Sequence, residues 1–312
     1  DLITSVLTRN SMARAHVLLC AVLLGVMSLV LAEVTPYASH AAHANKGAIA
    51  DEDRGYEVFA AAVSTVVGSA DFTHEQYQLY INEQLQHTNV LTVSNPLDAF
   101  HVDEPLNGCP GMIRTTVTVE YGTHQCDAAV NAGFFDTQTG QCLGPLTSRG
   151  NAVQQGPTVN AAFALSEDGS FYIGYMPEDV PDMVELITGV GWLVRNGTSV
   201  VDESYNIEGF SLDFRWEKAP RVAIGHNMQG ELVIVEVDGD ESLNIGLSLD
   251  QFADLLISDY GVYNAINLDG GGSATVVVDG SIVNAPSDRC ATAHCSFCSR
   301  AVTSIVCIGV DN

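Results

Sequence analysis

Asp269 stands between an apolar segment and three consecutive glycines, in the stretch A-I-N-L-D-G-G-G-S-A-T. Glycine loses more backbone entropy on ordering than any other residue, so a triplet is expected where the backbone needs positive φ angles or approaches another group closely. Successive N–H groups in such a turn can bind an anion, and Asp269 beside them would be a general base or an orienting acceptor. The alternative is a tight turn between strands that Asp269 only caps. The phosphate-binding residues predicted in this turn are Gly270, Gly271, Gly272 and Ser273.

A second glycine-containing loop begins at Asn131, in N-A-G-F-F. The amide of Asn131 is suited to bind a sugar hydroxyl or an N-acetyl carbonyl, and Gly133 would bring the backbone close to the ligand. The alternative is a turn asparagine that bonds its own backbone. We predict Asn131 in the catalytic set and Gly133 in the substrate-binding set.

One predicted strand, R-V-A-I-G-H-N, begins with Arg221 and has His226 near its end. Arg221 could grip a phosphate oxygen bidentately, or it could form a surface ion pair with one of the many carboxylates. His226 could act as an acid or a base, or it could be a solvated residue ahead of a turn. We predict both residues in the catalytic set.

A third candidate loop, P-S-D-R-C, supplies Ser287 and Asp288. We predict that both bind substrate or phosphate, with the alternative that Asp288 only pairs with Arg289 or Arg300. A further acidic segment, V-D-G-D-E-S at 237–242, lacks the glutamate that a calcium loop needs at its twelfth position, so it is interpreted as a turn. The sequence predicts no metal site.

The elements that must position these loops are mostly short apolar segments separated by turn signals. Hairpin turns are predicted at 167–170, 228–231 and 278–281. One helix is indicated by S-L-D-Q-F-A-D-L-L-I, in which Ser248 is the N-cap and Gln251 completes a capping box. Segment 115–121, T-T-V-T-V-E-Y, is predicted as a strand, and 72–86 as an amphipathic helix or an edge strand. The fold class is therefore α+β, a single strand-dominated domain of mixed sheets with a few packed helices.

The N-terminal part lacks this pattern of short apolar segments separated by turn signals. We expect residues 1–11 to be upstream read-through, and 12–32 to be a signal peptide with a basic start, an apolar core and a V-L-A cleavage site. An uncleaved anchor is the alternative, although the apolar run is shorter than the roughly 20 residues that span a membrane. Residues 33–70 are predicted as a segment of low order, and 71–312 as the functional domain.

The chain is strongly acidic, with 12 Lys and Arg against 38 Asp and Glu in 312 residues and a net charge of −26. Such a charge repels nucleic acid and anionic membranes, so neither is an expected partner. An anionic substrate must therefore be held by local N–H groups and a few arginines. The glycine triplet lacks both the Rossmann spacing and a P-loop lysine, and no cofactor is predicted.

Six motifs along the chain, in a fixed order, include and add to the candidate residues above. They are N-A-G-F-F (131–135), T-G-Q-C-L-G (139–144), G-W-L-V-R-N-G (191–197), R-V-A-I-G-H-N (221–227), N-A-I-N-L-D-G-G-G-S-A-T (264–275) and P-S-D-R-C (286–290), which leads to V-C (306–307). Together they resemble the phosphodiester glycosidase family, over about 91–308. Ala132 departs from the family's usual N-G-G-F-F.

The resemblance implies hydrolysis of a sugar 1-phosphodiester, with release of N-acetylglucosamine and exposure of a phosphomonoester such as mannose 6-phosphate on a glycan. Asp269 would act near the anomeric carbon. The resemblance also implies the disulfides Cys109–Cys142, Cys126–Cys307 and Cys290–Cys298, which leaves Cys295 unpaired. Two alternatives are a related glycosidase acting on another phosphodiester-linked polysaccharide and a secreted carbohydrate-binding module without turnover.

The expected compartment follows from the signal segment, the cysteines and the single N-glycosylation sequon at Asn196. We expect a protein of the secretory-pathway lumen, lysosomal or secreted, without stable membrane insertion after signal cleavage. Its expected partner is the glycan phosphodiester substrate, for example on lysosomal-type glycoproteins.

Overall fold

The structure is a computed structural model that describes residues 55–62, 72–81, 84–177, 183–289 and 297–309. The predicted signal peptide at 12–32, the upstream residues 1–11 and most of segment 33–70 lie outside the described residues. So do Cys290 and Cys295.

The described residues form short strands and a smaller number of helices. Strands β1–β8 span Tyr56–Ala60, Phe72–Ile81, Gln84–Val93, Phe100–Asp103, Thr115–Thr116, Ala128–Asn131, Leu146–Ser148 and Asn151–Gln154. Strands β9–β15 span Ala162–Ser166, Ser170–Gly174, Met183–Thr188, Trp192–Arg195, Thr198–Ser199, Arg221–Asn227 and Leu232–Val237. Strands β16–β22 span Val262–Leu268, Val276–Val278, Ser281–Ile282, Asp288–Arg289, Phe297–Cys298, Ala301–Val302 and Ile305–Ile308. Helices α1–α6 span Pro96–Ala99, Gly108–Gly111, Val117–His124, Val201–Glu208, Leu212–Trp216 and Leu249–Ser258.

Three sheets carry the fold. Their strand orders are β1-β10-β9-β11-β7-β8, β13-β12-β16-β14-β15-β3-β2 and β18-β17-β6-β22-β4, and two small ribbons pair β19 with β20 and β21 with β5. The largest apolar cluster lies between the sheets and includes Phe163, Phe171, Ile224 and Ile266. The predicted strand-dominated α+β domain is confirmed.

Helix α6 forms as the sequence predicts. Ser248 accepts a hydrogen bond from the Gln251 N–H, and the Gln251 side chain accepts from the Ser248 N–H, which completes the capping box. The apolar face that includes Leu249 and Phe252 is buried against β12 and β16. Among the described residues, no helix has the length and apolarity needed to cross a membrane.

The three hairpin turns are confirmed, because β9 and β10, β14 and β15, and β17 and β18 are antiparallel pairs joined at the predicted residues. The edge-strand alternative holds for Phe72–Ile81, since β2 pairs along its length with β3 at the edge of the seven-stranded sheet.

Two expectations about local structure are corrected. Within the segment predicted to have low order, Tyr56–Ala60 forms β1 and pairs with β10. Most of the predicted strand at 115–121 is helical, because α3 begins at Val117 after only two strand residues. Helix α3 buries Val117 and Glu120, and Gln125 ends it in the left-handed conformation, so tertiary packing overrides the β-propensity of the valines and threonines.

Two of the three predicted disulfides are confirmed: Cys109–Cys142 and Cys126–Cys307. Cys298 is disulfide-bonded as well, but its predicted partner Cys290 lies outside the described residues, so that pairing stays a prediction.

Removing Cys126–Cys307 should cost more stability than removing Cys109–Cys142. The first bridge joins residues 181 positions apart and the second joins residues 33 apart. A longer closed loop restricts the unfolded chain more, so the entropic model predicts losses of about 5 and about 4 kcal/mol respectively. Urea unfolding of the two double Cys→Ala variants tests this, and equal losses would contradict the loop argument.

Candidate functional site

The candidate site lies at one end of three neighbouring central strands of the seven-stranded sheet, β16, β14 and β15. This line of strand ends is called the catalytic edge below. Asp269 follows β16, Arg221 begins β14, and Asp238 follows β15. Both strand pairs are antiparallel, and the register places Val222 opposite Leu268 and Arg221 opposite Val237. The end of β16, the start of β14 and the end of β15 therefore meet, which brings the D-G-G-G turn beside segment 238–241.

Asn131 links this edge to the five-stranded sheet. Its Nδ2 donates to the Asp269 carbonyl oxygen at 2.6 Å, and its Oδ1 accepts from the Thr275 N–H at 3.0 Å. The Asp269 N–H donates to the Ala132 carbonyl at 3.0 Å. Both polar atoms of the Asn131 amide thus hold the turn in place. This argues against the predicted contact with a sugar and makes Asn131 a positioning residue.

Each of the three glycines is required because another group of the protein lies where a Cβ atom would be. Gly271 has φ +54°, and a Cβ there would overlap the Glu241 carboxylate. A Cβ at Gly272 would overlap the Arg300 guanidinium, and one at Gly270 would lie 2.5 Å from the Pro220 carbonyl oxygen. The sequence predicted positive φ angles or close approach as the reason for the triplet, with an anion as the expected neighbour. Gly271 shows a positive φ, and the groups that approach the triplet are a carboxylate, a guanidinium and a backbone carbonyl of the chain itself.

The N–H groups of the turn are largely committed within the protein. Gly271 donates to the Pro220 carbonyl at 2.9 Å, Ser273 to Gly270 at 3.0 Å, and Ala274 to Gly271 at 3.2 Å. The Gly270 N–H bonds to the Asp269 carboxylate. This arrangement argues against the predicted anion-binding role for these backbone groups.

Asp269 is 5% exposed, and burial is the main reason that its pKa rises to about 7. Hydrogen bonds from the Ser273 hydroxyl and the Gly270 N–H, together with the positive charge of Arg300, oppose the rise in pKa, and the Glu241 carboxylate adds to it. A carboxyl group that titrates near neutral pH can act as an acid or a base under physiological conditions. Asp269 is therefore the centre of the candidate site.

Arg300 is the cation of the site. Its Nε donates to Asp288 Oδ2 at 3.0 Å, and Nη1 lies 3.4 Å from Ser273 Oγ. Burial disfavours its charge, but Asp288, Asp269 and Glu241 outweigh that effect and raise the pKa of Arg300. The Arg300 side chain is 23% exposed, so this positive charge is only partly shielded from solvent.

Glu241 is a second carboxylate of the site that the sequence interpretation missed. It begins a 3-10 turn, Glu241–Leu243, that Asp240 caps through the Ser242 N–H. Burial raises the pKa of Glu241, while Arg300 and Arg221 oppose the rise. Its Oε1 is buried and has no hydrogen-bond partner within the described part of the chain. The signal was its place soon after β15, whose end lies on one side of the start of β14 while the end of β16 lies on the other.

Arg221 has a different role from the predicted one. Its side chain is fully buried, Nε donates to the Leu247 carbonyl at 2.9 Å, and Nη2 donates to the Phe214 and Glu217 carbonyls at 3.1 and 2.9 Å. The guanidinium also lies over the Phe214 ring. Arg221 thus fastens the chain segments around the turn, and this geometry argues against a direct grip on phosphate.

His226 lies at the other end of β14, five residues from Arg221 and so about 17 Å away along the strand. Its Nδ1 bonds to the Asn227 carbonyl and its Nε2 to the Asn264 amide, and its ring stacks on Phe59 and Phe171. Burial lowers its pKa. These contacts argue against an acid–base role in the candidate site, because the imidazole is a neutral core group.

The other predicted residues divide between the site and its surroundings. Asp288 pairs with Arg300, as the alternative interpretation held, and its Cβ lies against Gly272. Ser287 precedes it and is half-buried. Gly133 packs against the Thr188 carbonyl and donates its N–H to Ser304 Oγ at 3.3 Å. Asn196 is exposed in the turn between β12 and β13, and its glycosylation stays a prediction.

The charges around Asp269 predict opposite pKa shifts for two substitutions. Glu241→Gln removes a negative charge and should lower the pKa of Asp269, whereas Arg300→Gln removes a positive charge and should raise it, each by roughly one unit. Carbon-13 NMR titration of the aspartate carboxyl groups measures both. Shifts of the same sign would show that the substitutions act by rearranging the turn rather than by charge.

Comparison with known proteins adds the family. A family model described as phosphodiester glycosidase matches residues 124–308. The N-acetylglucosamine-1-phosphodiester α-N-acetylglucosaminidase of Mus musculus is 38% identical over 231 residues, which cover 69% of this chain and 44% of that protein. The Homo sapiens enzyme of the same name is 38% identical over 228 residues, which cover 68% and 44%. The chain thus spans less than half the length of the curated relatives it matches.

Solved structures agree with this match. The zebrafish catalytic domain of the same name, described as auto-inhibited by its pro-peptide, superposes with a TM-score of 0.75 at 34% identity, covering 81% of this chain and 87% of that one. A hypothetical protein from Synechocystis shares the fold with a TM-score of 0.55 at 18% identity, covering 77% and 62%.

Proposed function

Because this chain belongs to the phosphodiester glycosidase family, we propose that it hydrolyses N-acetylglucosamine-1-phosphodiesters at the glycosidic bond. The products are free N-acetylglucosamine and a phosphomonoester, such as mannose 6-phosphate on a glycan. One observation carries the proposal: the buried Asp269 carboxyl group, whose pKa is raised to about 7, lies in the glycine turn, and the partly exposed Arg300 reaches the same turn at Ser273.

The chemistry places two demands on the site. A phosphomonoester is already a good leaving group, so the site must chiefly stabilise negative charge on the phosphate as the C1–O bond breaks. We assign that demand to Arg300, since its side chain stays charged and is partly exposed. Water must also be directed at the anomeric carbon, which calls for a carboxylate on the other side of that bond.

We assign the second task to Asp269. In its ionised form the carboxylate takes a proton from the attacking water as the water oxygen bonds to C1. The C1–O electron pair passes to the phosphate oxygen, where Arg300 compensates the charge. Glu241 acts through Asp269, because its repulsion keeps the proton affinity of that carboxylate high. Asn131 and Arg221 act as positioning residues that hold the turn and the segments beside it.

A direct assay tests the proposal. Purified protein is incubated with N-acetylglucosamine-α-1-phospho-6-mannose, and free N-acetylglucosamine and mannose 6-phosphate are quantified. Stoichiometric release of both supports the proposal. Binding of the substrate without release would instead identify a carbohydrate-binding module. Release only from a phosphodiester-linked polysaccharide would identify the related glycosidase.

The same proposal places the protein in the lumen of the secretory pathway, with a lysosomal or secreted destination. The two described disulfides support an oxidising compartment, and the exposed sequon at Asn196 is accessible to glycosylation there. Expression from Met12 in a cell with that pathway should give a protein whose gel mobility increases after removal of N-glycans. An unchanged mobility would contradict the glycosylation.

A further inference from the structure

Arg289 is an exposed cation beside the catalytic edge, and the proposed mechanism gives it no task. It forms β19 with Asp288, and the Cα atoms of both residues lie within 8 Å of the 3-10 turn Gly271–Ser273. The same turn closely follows Asp269 in the chain, and Arg300 contacts its last residue. Arg289 therefore lies next to the turn that holds the proposed catalytic groups.

The guanidinium of Arg289 is directed toward the segment that carries Glu241. Its Nη2 lies 3.5 Å from Ser242 Oγ, and Ser242 adjoins Glu241, whose carboxylate lies against Gly271. Arg289 is thus joined to the glycine triplet at two points, by its backbone through β19 and by its side chain through segment 241–242. Because the side chain is exposed, its charge is accessible to an anion that arrives from solvent.

The charges of the site favour a second accessible cation. Arg300 donates from Nε and Nη2 to the Asp288 carboxylate at 3.0 and 3.5 Å, so one negative charge already offsets its own. Glu241 and Asp269 are further carboxyl groups whose charge Arg300 feels. In a chain of net charge −26, a phosphodiester anion is therefore attracted more strongly when Arg289 adds a positive charge beside these groups.

The phosphate offers separate atoms to the two arginines. Its two non-bridging oxygens carry one negative charge before the reaction and keep it in the transition state, and a guanidinium can donate to both in parallel. A contact of that kind binds substrate and transition state equally, so it lowers KM and leaves kcat unchanged. The charge that develops as the C1–O bond breaks appears instead on the bridging oxygen, which is the atom assigned to Arg300.

We propose that Arg289 binds the non-bridging phosphate oxygens of the substrate and thereby selects an anionic leaving group. This inference rests on the proposed function and adds a binding residue to it. The alternative is a structural role, in which Arg289 only holds segment 241–242 in place through Ser242.

Steady-state kinetics with N-acetylglucosamine-α-1-phospho-6-mannose separates these roles. Arg289→Gln should raise KM about tenfold and keep kcat within about twofold of the native value, because the lost contact is equal in the ground state and the transition state. Arg289→Lys should recover part of the lost affinity, since the ammonium keeps the charge but lacks the two parallel donors. A fall in kcat with an unchanged KM would overturn the inference.

Two control variants exclude indirect effects. Ser242→Ala removes the Oγ contact of Arg289 and keeps the N–H that bonds to Asp240, so KM should stay near the native value. Arg195→Gln removes one positive charge at the ion pair with Glu57 and should also keep KM. A rise in KM for Ser242→Ala as large as that for Arg289→Gln would show a structural role, and an equal rise for Arg195→Gln would show an effect of net charge. Either result would overturn the inference.

Binding of mannose 6-phosphate alone separates this inference from the proposed function. Isothermal titration calorimetry should give a Kd about tenfold higher for Arg289→Gln than for the native protein, and the native Kd for both controls. If the native protein releases no N-acetylglucosamine, the proposed function fails, and this measurement still decides on Arg289. An equal Kd in Arg289→Gln, or no binding to the native protein, would overturn the assignment.

Discussion

Replacing Asp269 with Asn should lower kcat/KM for the sugar phosphodiester by at least about a thousandfold, because the amide cannot take the proton of the attacking water. In the native protein, kcat/KM should rise with pH and level off above about 7, as the carboxyl group loses its proton. Initial rates between pH 5 and pH 9 measure both effects. Asp254→Asn, an exposed carboxylate on α6, should keep the native rate and profile.

The same substitution should stabilise the protein in alkaline solution. Asp269 has a pKa of about 7 in the folded protein and 3.8 as the reference value. The folded protein holds the proton of Asp269 more tightly than the unfolded chain does. The free energy of unfolding is therefore highest below pH 3.8, where both states are protonated, and it falls as the pH rises to about 7. Asn stays neutral, so the variant should gain up to about 4 kcal/mol at pH 8 relative to the native protein, and little at pH 4.

Thermal unfolding at these two pH values gives the comparison. A variant that loses activity and also loses stability at pH 8 would show that Asp269 supports the fold. That result would contradict its role as a buried catalytic carboxylate whose ionisation destabilises the folded protein.

The second large effect is expected at Arg300. Arg300→Gln should lower kcat about a hundredfold to a thousandfold, because charge that develops on the phosphate loses its cation. Arg300→Lys should recover part of this rate, since the ammonium keeps the charge but loses the bidentate geometry with Asp288.

Arg195→Gln is the matched control, because that arginine pairs with Glu57 on a different part of the molecule and should leave kcat near the native value. Equal losses for Arg300→Gln and Arg300→Lys, with unchanged folding, would contradict an electrostatic role. In that case the Asp288 pair, rather than the positive charge, would be the feature that matters.

Local sequence signals predicted the parts of the fold whose cause is local. The capping box at Ser248 and the glycine turns between β9 and β10 or β14 and β15 depend on neighbouring residues alone, and they form as expected. The prediction of a strand at 115–121 was wrong, because the packing of Val117 against residues distant in sequence decides the conformation of this segment. Cys126 and Cys307 were paired by resemblance, since spacing alone leaves many pairings open.

In the candidate site too, local sequence signals found some residues, whereas others depend on how the chain folds. The position of Asp269 at the end of a strand follows from the motif. The motif also predicts that something approaches its glycines closely, but only the folded chain shows that the neighbours are Glu241, Arg300 and Pro220. The geometry favours Arg300 over the predicted Arg221, because the Arg221 side chain is buried and bonded to backbone carbonyls. Both arginines are plausible by residue type, so the sequence alone could not make that choice. Glu241 was missed because its role depends on the antiparallel order of β14, β15 and β16, which sequence spacing alone does not supply.

The central claim is that the bond to the sugar carbon breaks, and the fate of the water oxygen tests it most directly. The protein is incubated with N-acetylglucosamine-α-1-phospho-6-mannose in ¹⁸O-labelled water, and the mannose 6-phosphate product is examined by mass spectrometry. Attack at C1 predicts a phosphomonoester that contains no ¹⁸O. Label in the phosphate would show that water attacks phosphorus, and would contradict a glycosidase mechanism at Asp269 and Arg300.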